Sequence, residues 1–342
     1  SHTNNPRNRE ERITGSAGRV SVSRIAAEHW LWSAGFDYTS KRYNINDIGF
    51  FFSPNDYGSS ASLTYKEDVP ADLVRNYSIG LSSHVRQIFE GMNIFREVSL
   101  HGEALLSNYW GLSGGFGYNF GLYDHRETRG NGLYRKPVSY QGDLAVETDE
   151  RNPFVARLSQ SISWDELQKH AGATGLGIEV KPLTWARFEM IAEYNRTRGE
   201  EAWILFPGNT RTFGDRSTDS YNFTLRATLA FTREFTVEYY GQVFFARGHY
   251  DQYRDMVGDR EFVPVTVTPG LLGANFNRQS LHSNLVLRWE YLPGSTMFLV
   301  WSQARHDDDG DYDATVRENL DNTFTIPPAN VLLLKITYWW DV

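Results

Sequence analysis

The chain lacks cysteine altogether, and this absence removes several kinds of chemistry. Without a thiol there is no disulfide, no thiolate nucleophile and no cysteine-ligated metal. The 342 residues also contain no apolar run of 18 or more, so the sequence predicts no transmembrane helix. A Walker motif, a dinucleotide fingerprint and an HExxH zinc motif are all missing. The net charge of -8 argues against a nucleic-acid partner.

Aromatic residues, by contrast, are abundant. The chain has 19 Tyr, 21 Phe and 10 Trp, or 15% aromatic, although its mean hydropathy is only -0.49. Many aromatics combined with low hydropathy are typical of strands that carry apolar residues on one face and polar residues on the other.

The last twelve residues, Val331 to Val342, show this alternation. Leu332, Leu334 and Ile336 fall on one face with Tyr338 and Trp340, because strand side chains alternate with a period of two. Aromatic residues at the chain end are typical of the closing strand of an outer-membrane β-barrel. The alternative is an edge strand of a soluble sandwich.

The alternation repeats along the chain and predicts fourteen strands. They lie at roughly 29–40, 58–66, 73–87, 94–107, 111–122, 138–147, 153–163, 173–181, 185–197, 219–231, 235–248, 279–291, 296–304 and 331–341. Short turns alternate with long connections, as periplasmic turns and extracellular loops do in such barrels. The sequence therefore predicts an all-β fold, a transmembrane antiparallel up-and-down β-barrel of about 14–16 strands in the bacterial outer membrane.

Two units are expected, a polar segment or linker over residues 1–17 and the barrel over 18–342. Residues 18–26 also alternate and predict a fifteenth strand. Since bacterial single-chain barrels have even strand numbers, we expect a further strand or a domain upstream.

Several short motifs carry a resemblance to a known family. They are Asn46-Asp47-Ile48-Gly49-Phe50, Asn108-Tyr109-Trp110, Thr128-Arg129-Gly130 followed by Pro137, RWEYLPGST at 288–296 preceded by Leu287 and followed by Val300-Trp301, and Leu334-Lys335-Ile336-Thr337-Tyr338-Trp339. Over roughly residues 20–342 the chain resembles an uncharacterised family of outer-membrane barrels. Its longer members carry an N-terminal domain similar to a family-nine carbohydrate-binding module, which is absent from these 342 residues. The resemblance brings no catalytic or ligand residues.

One acidic stretch is a candidate metal site. Asp307, Asp309, Asp311 and Asp313 surround Gly310 on a predicted extracellular loop, where carboxylates favour weakly bound Ca²⁺. The spacing does not fit an EF-hand. A solvated acidic loop is the alternative, and no other cofactor is expected.

A glycine stripe falls on one predicted strand, at Gly111, Gly115, Gly117 and Gly121. Missing side chains on a lumen face make room for an inward-folded loop or for a plug. The 249–278 connection is the candidate for such a loop, and an extracellular hairpin is the alternative for it. Curvature relief is the alternative interpretation.

Charged residues on the predicted lumen face form the third group of candidates. Those singled out are Glu103, Arg157, Arg187, Glu189, Glu193, Arg226, Arg288, Glu290 and Lys335. Such charges either pair across the lumen or line a hydrated path that selects solutes.

The sequence favours a pore or gated uptake channel for a small polar or amphiphilic solute. The alternative is a plugged barrel that anchors a surface or envelope partner. Expected partners are outer-membrane lipid, lipopolysaccharide, the barrel-assembly machinery and an upstream domain or envelope protein. A barrel hydrolase is least favoured, because no spacing among the nine histidines singles out a dyad or triad, and we predict no enzymatic activity.

Overall fold

A computed structural model describes residues 14–43, 54–124, 126–128, 132–204, 211–266 and 275–340. Residues 1–13 of the predicted polar segment, the Asn46–Phe50 motif, Arg129-Gly130 and part of the 249–278 connection lie outside the described residues.

The described chain consists of eighteen strands and one helix. The strands are β1 Ala17–Arg24, β2 Trp30–Thr39, β3 Asp56–Glu67, β4 Val74–Ile88, β5 Asn93–Leu106, β6 Gly111–Asn119, β7 Tyr123–Asp124, β8 Tyr134–Arg135, β9 Ser139–Glu147, β10 Phe154–Asp165, β11 His170–Leu183, β12 Ala186–Trp203, β13 Thr212–Ala230, β14 Phe235–Met256, β15 Phe262–Pro264, β16 Phe276–Leu292, β17 Ser295–Asp308 and β18 Ala329–Ile336, and the helix is α1 Val316–Thr325.

One sixteen-stranded sheet contains all strands except β7 and β8, which form a small hairpin of their own. Fifteen of the sixteen strands follow one another in chain order, and β15 pairs only with β14. Every pairing is antiparallel. The predicted all-β, sequential, antiparallel architecture is confirmed. Among the described residues the first and last strands, β1 and β18, do not pair.

Three long strands exceed their predicted lengths at one end of the sheet. We call this the upper end; there β12 continues to Trp203, β13 begins at Thr212 and β14 continues to Met256. In the predicted 249–278 connection, residues 249–256 extend β14, and Phe262–Pro264 pairs with it as β15, so this part of the connection is a hairpin.

The closing strand is shorter than predicted, because β18 ends at Ile336. Thr337 exchanges backbone hydrogen bonds with Thr296, and the Trp339 amide donates to Ser295 Oγ at 2.9 Å. Trp339 also covers Gly294, whose φ of +76° makes the tight turn between β16 and β17. Thr337 and Trp339 thus continue the register in which β18 pairs with β17, although the regular strand ends at Ile336.

Helix α1 lies in the connection between β17 and β18, where no helix was predicted. It begins with a capping box, in which Thr315 and Glu318 satisfy each other's backbone amides. Its buried Asn319 accepts hydrogen bonds of 2.8 Å from the Asn277 and Gln279 side chains of β16. These bonds fix the helix against the sheet. In the part of the chain that the structure describes, no helix is long and apolar enough to cross a membrane.

Candidate functional site

The sheet has two chemically different faces. Pairing across the strands places Leu158, Leu176, Met190 and Leu225 on one side, which we call the apolar face, and Ser159 and its neighbours on the other, which we call the polar face. The apolar side chains are exposed: Leu158 by 55% and Leu225 by 46%.

Aromatic rings gather on the apolar face in two belts. The lower belt includes the contacts Trp185–Phe231 and Phe231–Phe235, with ring centroids 5.3 and 5.6 Å apart. The upper belt includes the stack of Tyr194 on Tyr221. Along β12 and β13 the belts lie about ten residues apart, the length of a transmembrane β-strand.

Immediately above the upper belt, the apolar face carries polar side chains. Arg198 donates two hydrogen bonds to Asp219, of 2.8 and 2.9 Å, and Tyr194 Oη donates to the same carboxylate at 2.7 Å. Arg247 lies 3.7 Å from Asp219. A bidentate ion pair here marks where the apolar band ends.

The nine charged residues predicted to share one face do so. The pairing registers place Glu103, Arg157, Arg187, Glu189, Glu193, Arg226, Arg288, Glu290 and Lys335 on the polar face. Four of them lie on β12 and β13, where Arg226 bonds Glu189 at 3.0 Å and Asn222 donates to Glu193 at 2.7 Å.

The densest ion-pair network on the polar face surrounds Glu179, which is only 2% exposed. Lys181 and Arg187 each approach its carboxylate to 2.7 Å, and Arg157 lies 4.0 Å away. Arg157 also binds Glu147 at 2.9 Å. These bases are therefore neutralised by carboxylates on the same or neighbouring strands. The predicted pairing across a lumen stays a prediction.

A second set of carboxylates on the polar face has no such neutralisation. Within the described residues, Glu97, Asp143 and Glu238 have no hydrogen-bond or ion-pair partner for their side chains, and Glu103 accepts one bond of 3.1 Å from Ser78. Lys335 is the one predicted base of this face that lacks a partner in the described ranges. Arg19 of the same face also lacks a partner in the described residues, so unpaired acids outnumber unpaired bases there only slightly.

Glu97 borders a cavity of about 290 Å³ at the upper end of the polar face. Its wall is formed by side chains of six neighbouring strands and the turn after β10. Polar and apolar groups share it about equally. The polar ones include Asn119, Ser139, Gln141, Ser163, Asp165, Lys169, Thr197 and Glu200, and the apolar ones include the rings of Tyr140 and Trp164. The cavity suits a hydrated, polar solute.

The glycine stripe accommodates polar side chains of the adjacent strand. A Cβ on Gly115 would lie 2.8 Å from Asp143 Oδ1, and one on Gly117 would lie 2.7 Å from the Gln141 amide nitrogen. At Gly111 the nearest atom, Glu147 Cβ, is 3.8 Å away. Gly121 lies beyond the strand, because β6 ends at Asn119, and its φ of +62° serves a turn against Val138.

The β7–β8 hairpin is attached to the upper extensions of β12–β14. Its Tyr134 is 3% exposed and packs on Phe213 with ring centroids 4.9 Å apart. Tyr134 Oη donates to Glu201 at 2.9 Å. Met256 completes the apolar contact.

An ionic network lies beside this contact. Arg254 donates to Glu201 at 2.8 Å and to Asp215 at 2.7 Å, and Lys169 also bonds Asp215. Burial and the Glu201 carboxylate raise the pKa of the Tyr134 phenol well above its ordinary value, so the phenol remains a hydrogen-bond donor. We call Tyr134, Lys169, Glu201, Phe213, Asp215, Arg254 and Met256 the upper cluster.

Two further contacts hold the hairpin and its surroundings. Tyr123 Oη donates to Asp259 at 3.1 Å, and Arg260 bonds Glu166 at 2.5 Å. Sequence reasoning missed all these residues. Their contacts span up to 136 positions in the chain, and no local periodicity announces them. The only signal was the dense mixture of charged and aromatic residues at 196–216 and 249–262.

The acidic loop serves the attachment of α1. Both carboxylate oxygens of Asp309 accept side-chain amides, from Asn277 at 2.9 Å and Gln279 at 3.1 Å. Asp307 and Asp311 accept backbone amides within the loop, the latter from Asp313. Within the described ranges, no three His, Asp or Glu side chains are grouped to hold a metal ion.

Comparison with known proteins gives a family without an assigned activity. No curated protein and no solved structure matches the chain. One family model, described as "Domain of unknown function (DUF5916)", matches residues 1–342. Because this match covers the whole chain, the protein belongs to the DUF5916 family.

Proposed function

We propose that the sheet closes into a barrel in the bacterial outer membrane, with its apolar face toward lipid, and that the polar face lines a pore for small polar solutes. The observation that carries this proposal is the pair of aromatic belts about ten residues apart, with exposed aliphatic side chains between them. In water, an exposed apolar band of this extent would cause aggregation. Between two interfaces, the same band is solvated by lipid chains.

The unpaired carboxylates support a preference for cations. Arginine and lysine side chains of the polar face are mostly engaged by acids, whereas Glu97, Asp143 and Glu238 are not. Rings of unpaired acids attract cations and repel anions. The transported class is therefore small, hydrated and cationic or neutral.

The contacts of the β7–β8 hairpin are the argument that this pore is gated. It connects β6 to β9, yet Tyr134 binds residues of β12 and β13, so the segment bridges strands that are not neighbours in the sheet. The cavity beside Glu97 lies next to the same Lys169 that bonds Asp215. Release of Tyr134 would change access to that cavity.

Planar-bilayer recording tests the pore. The intact chain, reconstituted between unequal KCl solutions, should give discrete currents with a reversal potential shifted toward that of K⁺. Absence of current in repeated reconstitutions of folded protein would overturn the proposal. A reversal potential toward Cl⁻ would overturn the assigned preference.

A second candidate function is a docking barrel for a surface or envelope partner. The upper extensions of β12–β14 favour it, because they rise about ten residues beyond the upper belt, further than a transmembrane strand requires. The upper cluster makes this projection rigid. A protein that conducts no current but retains a folded projection fits this second function.

A further inference from the structure

An open groove lies on the apolar face, directly below the upper belt. Leu176, Ala192 and Phe223 are register neighbours on β11, β12 and β13, and the small side chain of Ala192 leaves a depression between the larger two. The rings of Tyr194 and Tyr221 border its upper side. The groove has a volume of about 190 Å³, and its surface is almost entirely apolar. Leu176 is 39% and Phe223 37% exposed, so the groove is accessible from the side.

Arginine side chains lie immediately above this groove. Arg196 follows Tyr194 by two residues on β12 and therefore projects from the same face. It is in register with Asp219, which in turn is in register with Arg247. Arg198 also reaches Asp219, through its two hydrogen bonds. Three guanidinium groups thus surround one carboxylate, and we call Arg196, Arg198 and Arg247 the basic cluster.

Arg196 is the member of the basic cluster that is open to a ligand. It is exposed, and within the described ranges its guanidinium has no hydrogen-bond or ion-pair partner. The residue in register with it on β11 is Gly172, which has no side chain to cover it. Further up β12 and β13, the acids Glu201 and Asp215 are already bound by Arg254. The basic cluster therefore retains an excess of positive charge.

The groove and the basic cluster together fit the two parts of a phosphorylated lipid. Guanidinium groups bind phosphate through charge-assisted hydrogen bonds, which are often bidentate. Ala192 and Arg196 lie four residues apart on one face of β12, a rise of about 13 Å. A lipid whose phosphate lies at the basic cluster would thus place the start of an acyl chain in the groove. A free phosphate would use the arginines and leave the groove without a function.

We infer that the basic cluster and the groove form a binding site for a lipid with an anionic phosphate headgroup, the chemistry of the lipid portion of lipopolysaccharide. This inference rests on the proposed barrel, in which the apolar face meets lipid. Arg196 donates directly to the phosphate. Arg198 and Arg247, held by Asp219, add positive charge beside it. One acyl chain lies along Ala192.

Native mass spectrometry of the folded chain in a neutral detergent tests the headgroup part of the site. The probes are diphosphorylated lipid A, zwitterionic phosphatidylcholine and inorganic phosphate, and the dissociation constant of each is measured. We expect lipid A to bind most tightly. Arg196→Gln should weaken its binding about ten-fold, the lower end of what a hydrogen bond to a charged group contributes, and should leave phosphatidylcholine unaffected. Arg19→Gln, on the polar face of β1, is the matched control and should change nothing.

The groove is tested by filling it. Ala192→Phe should also weaken lipid A binding, whereas Ala34→Phe adds the same side chain to the apolar face of β2 and should not. Equal lipid A affinities in Arg196→Gln and Arg19→Gln would overturn the inference. So would equal affinities of the unmodified chain for lipid A and phosphatidylcholine.

A soluble ligand gives a different result. If inorganic phosphate displaces lipid A and Ala192→Phe has no effect, the arginines bind free phosphate and the lipid site is overturned. The site and the pore fail separately. A chain that conducts current but does not distinguish lipid A from phosphatidylcholine contradicts only the site, and a chain that retains lipid A but conducts no current contradicts only the pore.

Discussion

The Tyr134 phenol donates a 2.9 Å hydrogen bond to the Glu201 carboxylate, 67 residues further along the chain. This bond, with the packing of Tyr134 on Phe213, attaches the β7–β8 hairpin to the extensions of β12 and β13. A buried phenol with a raised pKa holds the bond over the whole physiological pH range.

Tyr134→Phe should loosen the hairpin without unfolding the sheet. Hydrogen bonds to charged groups contribute about 1.5–3 kcal/mol, so opening of the hairpin should rise by about ten- to a hundred-fold. Hydrogen–deuterium exchange of residues 132–136 measures this. Tyr118→Phe is the matched control, because Tyr118 packs in the upper belt against Tyr140. Equal exchange in both variants would contradict the attachment.

The Glu97→Gln, Asp143→Asn double variant should reduce the cation preference of the pore. An unscreened charge about 4 Å from a passing ion in water contributes about 1 kcal/mol, so we expect about a five-fold fall in the K⁺/Cl⁻ permeability ratio. Reversal potentials in bilayers give this ratio. Asp321→Asn removes a charge from the exposed surface of α1 and should leave it unchanged. An unaltered ratio in the double variant would contradict the role of these carboxylates.

Substitutions at two neighbouring residues of β10 should differ in their stability cost, because the two side chains lie on opposite faces of the sheet. Leu158→Arg places a cation in the apolar band and should cost roughly 2–4 kcal/mol, whereas Ser159→Arg on the polar face should cost about 0–1 kcal/mol. Both residues are exposed, so neither change is dominated by packing. Denaturant titration of folding into lipid vesicles measures both. Equal costs would mean that the face assignment is wrong.

Acid should release the hairpin. The Arg260 hydrogen bond holds the pKa of Glu166 below its ordinary 4.5. For Asp124, burial would raise the pKa, but the bond to Lys136 and backbone amides outweigh it and the pKa falls below 3.8.

Carboxylates with lowered pKa values stabilise the folded arrangement above their unfolded pKa, and that contribution is lost as pH falls through the folded pKa. Protection of the hairpin, corrected for intrinsic exchange, should therefore be constant from pH 8 to 5 and decline below about pH 4. In Glu166→Gln part of the protection should already be missing at pH 7. A decline centred near neutral pH would contradict this assignment.

Much of the fold follows from the sequence because apolar and polar residues alternate along most of each strand. The predicted strand at 138–147 is observed as Ser139–Glu147, and the one at 94–107 as Asn93–Leu106. The candidate strand at 18–26 is observed as Ala17–Arg24.

The upper extension of β12 and helix α1 were not predicted, and each has a physical reason. Above the upper belt, a register shift between Thr197 and Glu200 interrupts the two-residue period of β12, and the charged residues Arg196, Arg198 and Glu200 replace apolar ones, so alternation no longer identifies the strand. Helix α1 buries the polar Asn319 and Thr323, which gives no apolar stripe. The capping box at Thr315 and Glu318 was a readable signal for its start.

The nine charges share one face of the sheet, because a two-residue period assigns faces without knowledge of contacts. That this face lines a lumen stays a prediction. Which of them pair was not predictable, because Arg157 and Arg187 reach Glu179 across strands whose register the sequence leaves open. The upper cluster requires the same long-range information.

Cysteine labelling along β10 tests the central claim most directly. Single cysteines at Leu158, Ser159, Ser161 and Ile162, in vesicles carrying the folded protein, are exposed to a membrane-impermeant maleimide. A barrel with a hydrated polar face predicts fast labelling at 159 and 161 and slow labelling at 158 and 162. Equal rates at all four positions, or the opposite alternation, would contradict it.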